Sequence, residues 1–273
     1  MIVHFGPGYH APTGRPIDTS AYGRYIGRWS RLFVPALLAA AEVAKEFRVL
    51  DVATGLGEAA LAATSVVKPA GLVIGVDISL AMAKAARLRL GDESFWPVVA
   101  NGQALPFRDG SFDAVVCQLG LQFFPDPARG LSEFRRVLDK GRCTAVCVIS
   151  APDRAPMWGV LADTLSRHLP DQLEALHLSF ALADTERLKD LLRTAGFRDV
   201  RVKRETRQGT IESFDDYWAP IEAGTGTLPQ AYLALSESSR CAVREEVRAR
   251  LAEFESGGRL VMTVEMLIGS GRA

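Results

Sequence analysis

The stretch Val49-Leu50-Asp51-Val52-Ala53-Thr54-Gly55-Leu56-Gly57 carries an apolar run into a glycine turn, with a helix-forming run following from Glu58. Such a turn lets backbone N–H groups and a helix N-terminus come close to a ligand. Asp77 lies 20 residues beyond Gly57 and ends a second apolar run, Val73-Ile74-Gly75-Val76-Asp77. A carboxylate there can accept hydrogen bonds from both hydroxyls of an adenosine ribose. An adenosine-containing cofactor is the first inference. Its identity stays open on spacing alone, because Gly55-x-Gly57-x-x-Ala60 also satisfies the dinucleotide fingerprint. NAD and S-adenosylmethionine both fit.

Three features favour S-adenosylmethionine. Asp51 lies within the first apolar run, where it can organise the turn and meet a cationic amino group, which NAD lacks. The segment Asn101-Gly102-Gln103-Ala104-Leu105-Pro106-Phe107 follows a third apolar run, where an adenine edge would be read. No Tyr-x-x-x-Lys pair occurs, so the commonest short-chain hydride-transfer machinery is missing.

With these pieces the sequence resembles the class I S-adenosylmethionine-dependent methyltransferases, and most of all their ubiquinone/menaquinone-biosynthesis branch. Val49–Gly57 resembles the first signature of that family and Val73–Asp77 its acidic strand end. Asn101–Phe107 with Gly110-Ser111-Phe112-Asp113 is similar to its adenine loop and fourth strand. Cys117–Asp126 and Phe134-Arg135-Arg136-Val137-Leu138 extend the likeness, which covers Tyr22 to Ser150 and afterwards only Ala195-Gly196-Phe197. It implies an α/β, doubly wound, Rossmann-like sheet of seven strands, mostly parallel with the last antiparallel, under a small helical lid. It implies Gly55 and Gly57 near the methionine part with Asp51, Ala53 and Thr54, and Asp77 on the ribose. Ile78, Met82, Asn101, Gly102 and Gln103 would surround the adenine, and Gln118 and Tyr25 the methionyl group. Two departures stand out: Leu56 replaces a threonine, and Asn101 replaces the usual acid.

Methyl transfer from a sulfonium is an in-line displacement, and positioning can supply much of its catalysis. No triad or carboxylate pair is needed. A phenol or alcohol acceptor usually needs a base, whereas an amine or an electron-rich carbon does not. His168 and His177 are the base candidates; surface or packing roles explain both equally well. Trp29, Gln122, Phe123, Trp158, Phe180 and Trp218 are candidates for holding a small, apolar or aromatic acceptor, although core packing explains the aromatic ones too. The product would be S-adenosylhomocysteine. The competing readings are an NAD(P)-dependent oxidoreductase and a non-methylating catalyst or cofactor-sensing protein on the same scaffold, since fold does not fix function.

The elements that must position these groups alternate. Strands are expected at 48–53, 72–76, 95–99, 114–117 and 144–149. Helices are expected from a Ser30 cap to about Lys45, at 58–67, from a Ser79 cap to Leu90, and at 128–138 with Gly141 as terminator. This strand–helix alternation means right-handed crossovers and a parallel sheet. Further on, helices are expected at 157–168, 184–195 and 237–254, and strands at 197–202 and 260–268. Residues 1–273 read as one domain. Within it, 1–30 would cover the cofactor, and 151–183 and 208–258 would be insertions over the carboxyl ends of the strands, where open α/β sheets bind ligands.

Composition bounds the rest. The chain has 273 residues, 48% hydrophobic, and 32 basic side chains balance 32 acidic ones, which argues against a nucleic-acid binder. Cys143 and Cys147 lie roughly 13 Å apart on one strand at about 3.3 Å per residue, beyond the roughly 7 Å a disulfide spans. With no CxxC pair, no metal site is expected, and reduced thiols fit a cytoplasmic protein. No signal pattern opens the chain, and its longest apolar helix candidate is shorter than the roughly 20 residues a membrane span needs. The expected partner is a small-molecule acceptor, with homodimerisation left open.

Overall fold

Val49, Leu50 and Val52 are each at most 1% exposed, as befits a strand covered on both faces. They form β1 (Arg48–Val52) at the centre of the sheet in this computed structural model, which describes residues 18–91, 95–224 and 226–273. β1 runs parallel to β2 (Leu72–Asp77) on one side and to β4 (Phe112–Gln118) on the other. β3 (Phe95–Val99) lies outside β2, and β5 (Leu138–Ile149) outside β4. Beyond β5 comes β8 (Arg259–Arg272), antiparallel, and then β6 (Arg198–Ile211). The order is β3-β2-β1-β4-β5-β8-β6. This is the expected mostly parallel sheet with its last strand antiparallel. The two-residue β7 (Glu255–Ser256), a hairpin partner for the start of β8, adds an eighth strand to the expected seven.

Alternate strand residues supply two cores. Val49, Val73, Ala114, Val116 and Ala145 face one way, with Leu37, Ala60 and Ala63 from the helices Val34–Ala40 and Glu58–Val67. Leu50, Val76, Val115, Val146 and Val148 face the other, with Leu131, Phe134, Leu188 and Leu192 from Pro127–Val137 and Thr185–Thr194. The order in which strands join the sheet reverses between the parallel β1 and β4, which places the crevice for a ligand at the carboxyl ends of those strands. The helices Pro156–His168, Phe214–Glu222, Thr227–Leu233 and Glu237–Leu251 pack on one another over that end.

One cap is as the sequence announces, at Ser79, and a second forms at Asp184. Ser79 Oγ accepts from Met82 N (3.4 Å) and Asp184 Oδ1 from Arg187 N (2.7 Å). Ser30 is a correction. It ends a helical stretch that Asp18 caps, accepting from Ala21 N (2.9 Å). That stretch runs through Thr19–Tyr22, a wide π-helical turn at Gly23–Gly27, and Arg28–Ser30. Burial of Tyr25 and Trp29 makes the segment helical, and Ser30 Oγ donates back to Gly27 O (3.4 Å). The core helix begins at Val34 and stops at Ala40, short of Lys45, because Glu42 turns to φ +53°. Gly141 does not terminate the helix Pro127–Val137 either; buried Leu138 starts β5 directly, and Gly141 (φ +75°) lies inside that strand. β6 outruns its expected end at Val202, so Gln208–Ile211 belong to the sheet, paired with β8. The expected cover at 1–30 falls partly outside the described residues, at 1–17.

Candidate cofactor and acceptor site

The turn after β1 is held by two carboxylates. Asp51, 1% exposed, accepts through Oδ2 from Thr54 Oγ1 (2.7 Å) and Ala60 N (3.1 Å), while its Oδ1 has no partner. Burial pushes its pKa up to about 7, against the pull of the Thr54 and Ala60 bonds. Asp77 accepts from Gly55 N (2.9 Å) through one oxygen and from Ser79 N (2.9 Å) through the other. Burial raises its pKa too, and these backbone donors oppose the rise. The turn needs left-handed backbone at Ala53 (φ +57°), Gly55 (φ +55°) and Gly57 (φ +78°). A Cβ on Gly57 would meet Leu90 at 2.8 Å, whereas one on Gly55 would meet nothing nearer than the Tyr22 hydroxyl at 3.9 Å. Gly57 is there for packing, and Gly55 borders open space.

Three recesses meet at this turn. A narrow slot is walled by Val52, Val76, Ile78, Ala100, Gly102 and Phe124. A Cβ on Gly102 would fill it, lying 2.5 Å from Phe124 and 2.9 Å from Val52. A second, small recess joins Asp51 and Thr54 to Gln118 and Ser30. The third is a cavity of about 430 Å³, in the range of small-molecule sites. Its floor is the strand ends, Ala53, Gly55, Asp77, Gln118 and Ile149. Its roof is Trp158, Ala223, Gly224, residues of the stretch 226–234, and Arg240.

The sequence-derived candidates divide accordingly. Tyr25, Ala53, Gly55, Asp77, Met82, Gln118, Gln122, Phe123 and Trp158 line the large cavity. Ile78 and Gly102 line the slot, and Asp51 and Thr54 the small recess. Asn101 and Gln103 line none of them. Asn101 Oδ1 accepts from Gln103 N (2.8 Å), and Gln103 Oε1 from Asp126 N (2.7 Å), so both amides shape the loop behind Gly102. Arg28 pairs with Asp216 (2.8 Å) and so ties the N-terminal helical stretch to Phe214–Glu222.

Three acceptor-side candidates and both histidines stand away from the cavity. Trp29 is fully buried against Trp158, edge to face at 6.4 Å, and packs on Gly209. Trp218 stacks on Phe214 at 5.5 Å and donates from Nε1 to Glu222 (3.0 Å). Phe180 lies beside His177, with ring centroids 6.0 Å apart. His177 Nε2 meets Ser166 Oγ (3.1 Å), and His168 faces Glu246 at 4.0 Å. Neither histidine lines the cavity, so each has the packing or surface role open to it from the start. Leu119, Ile149, Leu228, Gln230 and Arg240 do line it and were not anticipated. The crevice rule could have found Leu119 and Ile149, which sit at the ends of β4 and β5; nothing in the sequence marks Gln230 or Arg240.

The cavity wall carries unmet hydrogen-bonding capacity. Tyr25 Oη, Gln118 Oε1, Trp158 Nε1 and both amide atoms of Gln122 are buried without a partner. Tyr25, Gln122 and Trp158 are each 2% exposed. Burial lifts the Tyr25 hydroxyl well above its usual pKa, so it stays a neutral donor. Buried polar groups are normally paired, and leaving one unpaired costs about 1–3 kcal/mol. Several on one cavity mark a place where a ligand supplies the partners. Among the described residues no cluster of His, Cys, Asp and Glu is placed for a metal ion, and no helix is long and apolar enough to cross a membrane.

Known proteins resemble this chain in sequence and fold. Residues 50–144 match the methyltransferase domain family. The structure of Haemonchus contortus phosphoethanolamine N-methyltransferase 2, in complex with phosphomonomethylethanolamine and S-adenosylhomocysteine, superimposes with a TM-score of 0.62 at 17% identity. That match covers 99% of this chain and 60% of the other. The fold and domain are those of a class I S-adenosylmethionine-dependent methyltransferase. Demethylmenaquinone methyltransferase from Clavibacter sepedonicus is 36% identical over 208 residues, covering 69% of this chain and 82% of that enzyme. The Corynebacterium kroppenstedtii enzyme of the same name is 33% identical over 165 residues, covering 56% and 69%. The chain belongs to this ubiquinone/menaquinone methyltransferase-like branch: it is an enzyme, and S-adenosylmethionine is its cofactor.

Proposed function

We propose that this enzyme methylates a small, apolar, ring-containing acceptor that bears oxygen functions. The carrying observation is the group of partnerless buried polar atoms on Tyr25, Gln122 and Trp158, set in a mainly apolar cavity beside the glycine turn. The acceptor named for the relatives, demethylmenaquinone, has the same general chemistry and supports this reading.

The residues present fit the cofactor. The free Oδ1 of Asp51 is an acceptor for an ammonium group, and Gln118 Oε1 is a second one nearby in the same recess. Asp77 keeps lone pairs for the ribose hydroxyls while its backbone bonds fix its orientation. Ile78, Gly102 and Phe124 present flat apolar walls to an adenine, and Met82 closes the edge. When bound, the cofactor supplies an electrophilic methyl group on a sulfonium, and S-adenosylhomocysteine is what remains after transfer.

The chain's own part is to hold the acceptor in line. Gln122 can donate to one acceptor oxygen and accept from another, since both ends of its amide are unused. Trp158 Nε1 and the neutral Tyr25 hydroxyl fix the ring's rotation. The roof segments 151–183 and 212–258, with the N-terminal helical stretch pinned through Arg28–Asp216, exclude water. This division of labour makes the whole chain one catalytic domain with a lid. The buried, reduced Cys117, Cys143 and Cys147 support a cytoplasmic setting.

Calorimetric titration with S-adenosylhomocysteine, with NADH and NADPH in parallel, tests the site. Saturable binding of S-adenosylhomocysteine alone is expected. Nicotinamide cofactor binding in its place overturns the reading.

A further inference from the structure

Glu237–Leu251 carries a row of arginines on one side, and all but one have found a carboxylate. Arg244 and Arg248 both bond Asp215 (3.0 and 3.4 Å), and Arg250 bonds Asp163 (3.3 Å). Arg240, one turn before Arg244, pairs with no carboxylate among the described residues. Instead it lines the large cavity, and its Nε is buried with no hydrogen-bond partner. Glu222, which shares the surroundings of Tyr232 with Arg240, accepts from Trp218 Nε1 through Oε1 (3.0 Å) and forms no ion pair with Arg240.

A second unpartnered group lines the same cavity. Gln230, on the neighbouring helix Thr227–Leu233, also lines the cavity with a buried, partnerless Oε1. Turning that amide end over end exchanges the oxygen for an NH₂ donor, so Gln230 and Arg240 can both donate to one ligand. Leu228, Pro229 and Leu233 add apolar surface to the same cavity wall. The cavity's acidic residues, Asp18 and Asp77, are both engaged elsewhere, Asp18 as a helix cap and Asp77 at the cofactor turn.

A guanidinium is always charged, and its planar fork matches carboxylate and phosphate oxygens. Resting on the acceptor reading above, we propose that the natural acceptor ends in an anionic oxygen group, a carboxylate or a phosphate, which Arg240 receives with help from Gln230. The acceptor is then an amphiphile. Its ring lies at Gln122 and Trp158, its acid at Arg240, and methylation selects against the neutral analogue because that leaves a buried cation donor unmet.

The test uses full-length protein saturated with S-adenosylhomocysteine and three probes of one shape: 2-naphthoate, 2-naphthyl phosphate and 2-naphthamide. Calorimetry should find at least one anion bound about tenfold or more tighter than the amide, the gain expected of a charge-assisted hydrogen bond. Whichever anion binds tighter names the acid. Arg240→Met should bring anion and amide to within about twofold, and Arg240→Lys should keep part of the preference; if the melting curve shows Arg240→Met unfolded, Arg240→Gln carries the same expectation. The proposal fails if the amide matches the anions, if none of the three probes binds, or if the uncharged variant keeps the preference. S-adenosylhomocysteine affinity, read in the same cell, separates this failure from failure of the cofactor site.

Discussion

Moving the protein from pH 8 to pH 6 should weaken S-adenosylhomocysteine binding about tenfold. Burial holds the Asp51 carboxyl at about 7, and its Oδ1 is left without a partner. An ammonium group arriving there selects the ionised carboxylate and returns its pKa toward the ordinary range near about 4. Affinity is therefore full above the free protein's value and is lost as pH falls through it. At pH 8 about ten in eleven molecules are ionised, and at pH 6 about one in eleven, a difference of about 1.4 kcal/mol. Calorimetry in buffers of different ionisation enthalpy should also detect a proton released on binding near pH 6. 5′-Methylthioadenosine lacks the amino-acid ammonium but keeps the ribose, so it isolates Asp51 from Asp77, whose pKa burial also raises; its affinity should stay flat. Asp51→Asn should flatten the S-adenosylhomocysteine curve. Its amide oxygen can still accept from Thr54 and Ala60, while its NH₂ replaces the free oxygen. Equal affinity at pH 6 and 8, or the same slope in Asp51→Asn, refutes this account.

Two further substitutions bear on the site. Asp77→Ala should weaken S-adenosylhomocysteine binding by roughly 1.5–3 kcal/mol, the range for a hydrogen bond to a charged group; unchanged calorimetric affinity would show the ribose assignment to be wrong. Gln122→Leu removes two unmet polar atoms from a residue 2% exposed. It should raise unfolding free energy in urea by about 1 kcal/mol while lowering acceptor turnover. A less stable variant with normal turnover would place Gln122 among the ordinary packing residues.

The half of the site built on the sheet was legible because its chemistry is local. Gly55 and Gly57 read as turn residues, Ser79 as a cap, and Asp77 as a strand-end acid, each from its immediate neighbours. Ser30 misled for the same reason: a serine before an apolar run looks like a cap. Only the burial of Tyr25 and Trp29 four residues apart shows that the helix has already begun. The roof was not legible, since an aromatic side chain looks alike whether it faces a cavity or a core. Trp158 lines the cavity, while Trp29 touches Trp158 and is sealed behind it. Arg240 differs from Arg244 and Arg248 only in what lies opposite, and no spacing rule reports an absent carboxylate across the fold.

The strand order has a bearing on how this enzyme is made. β8 follows β6 in the sequence, yet it lies between β5 and β6, pairing with β6 along nearly all its length and with β5 over residues 266–272. A ribosome therefore delivers β6 with no neighbour to join, its row of backbone donors and acceptors open, until the final strand emerges to bridge the gap. The cofactor crevice between β1 and β4 needs no such wait, because every strand around it is synthesised by residue 149. Vectorial synthesis thus assembles the nucleotide-binding half first and leaves the roofed half to be closed as one late event.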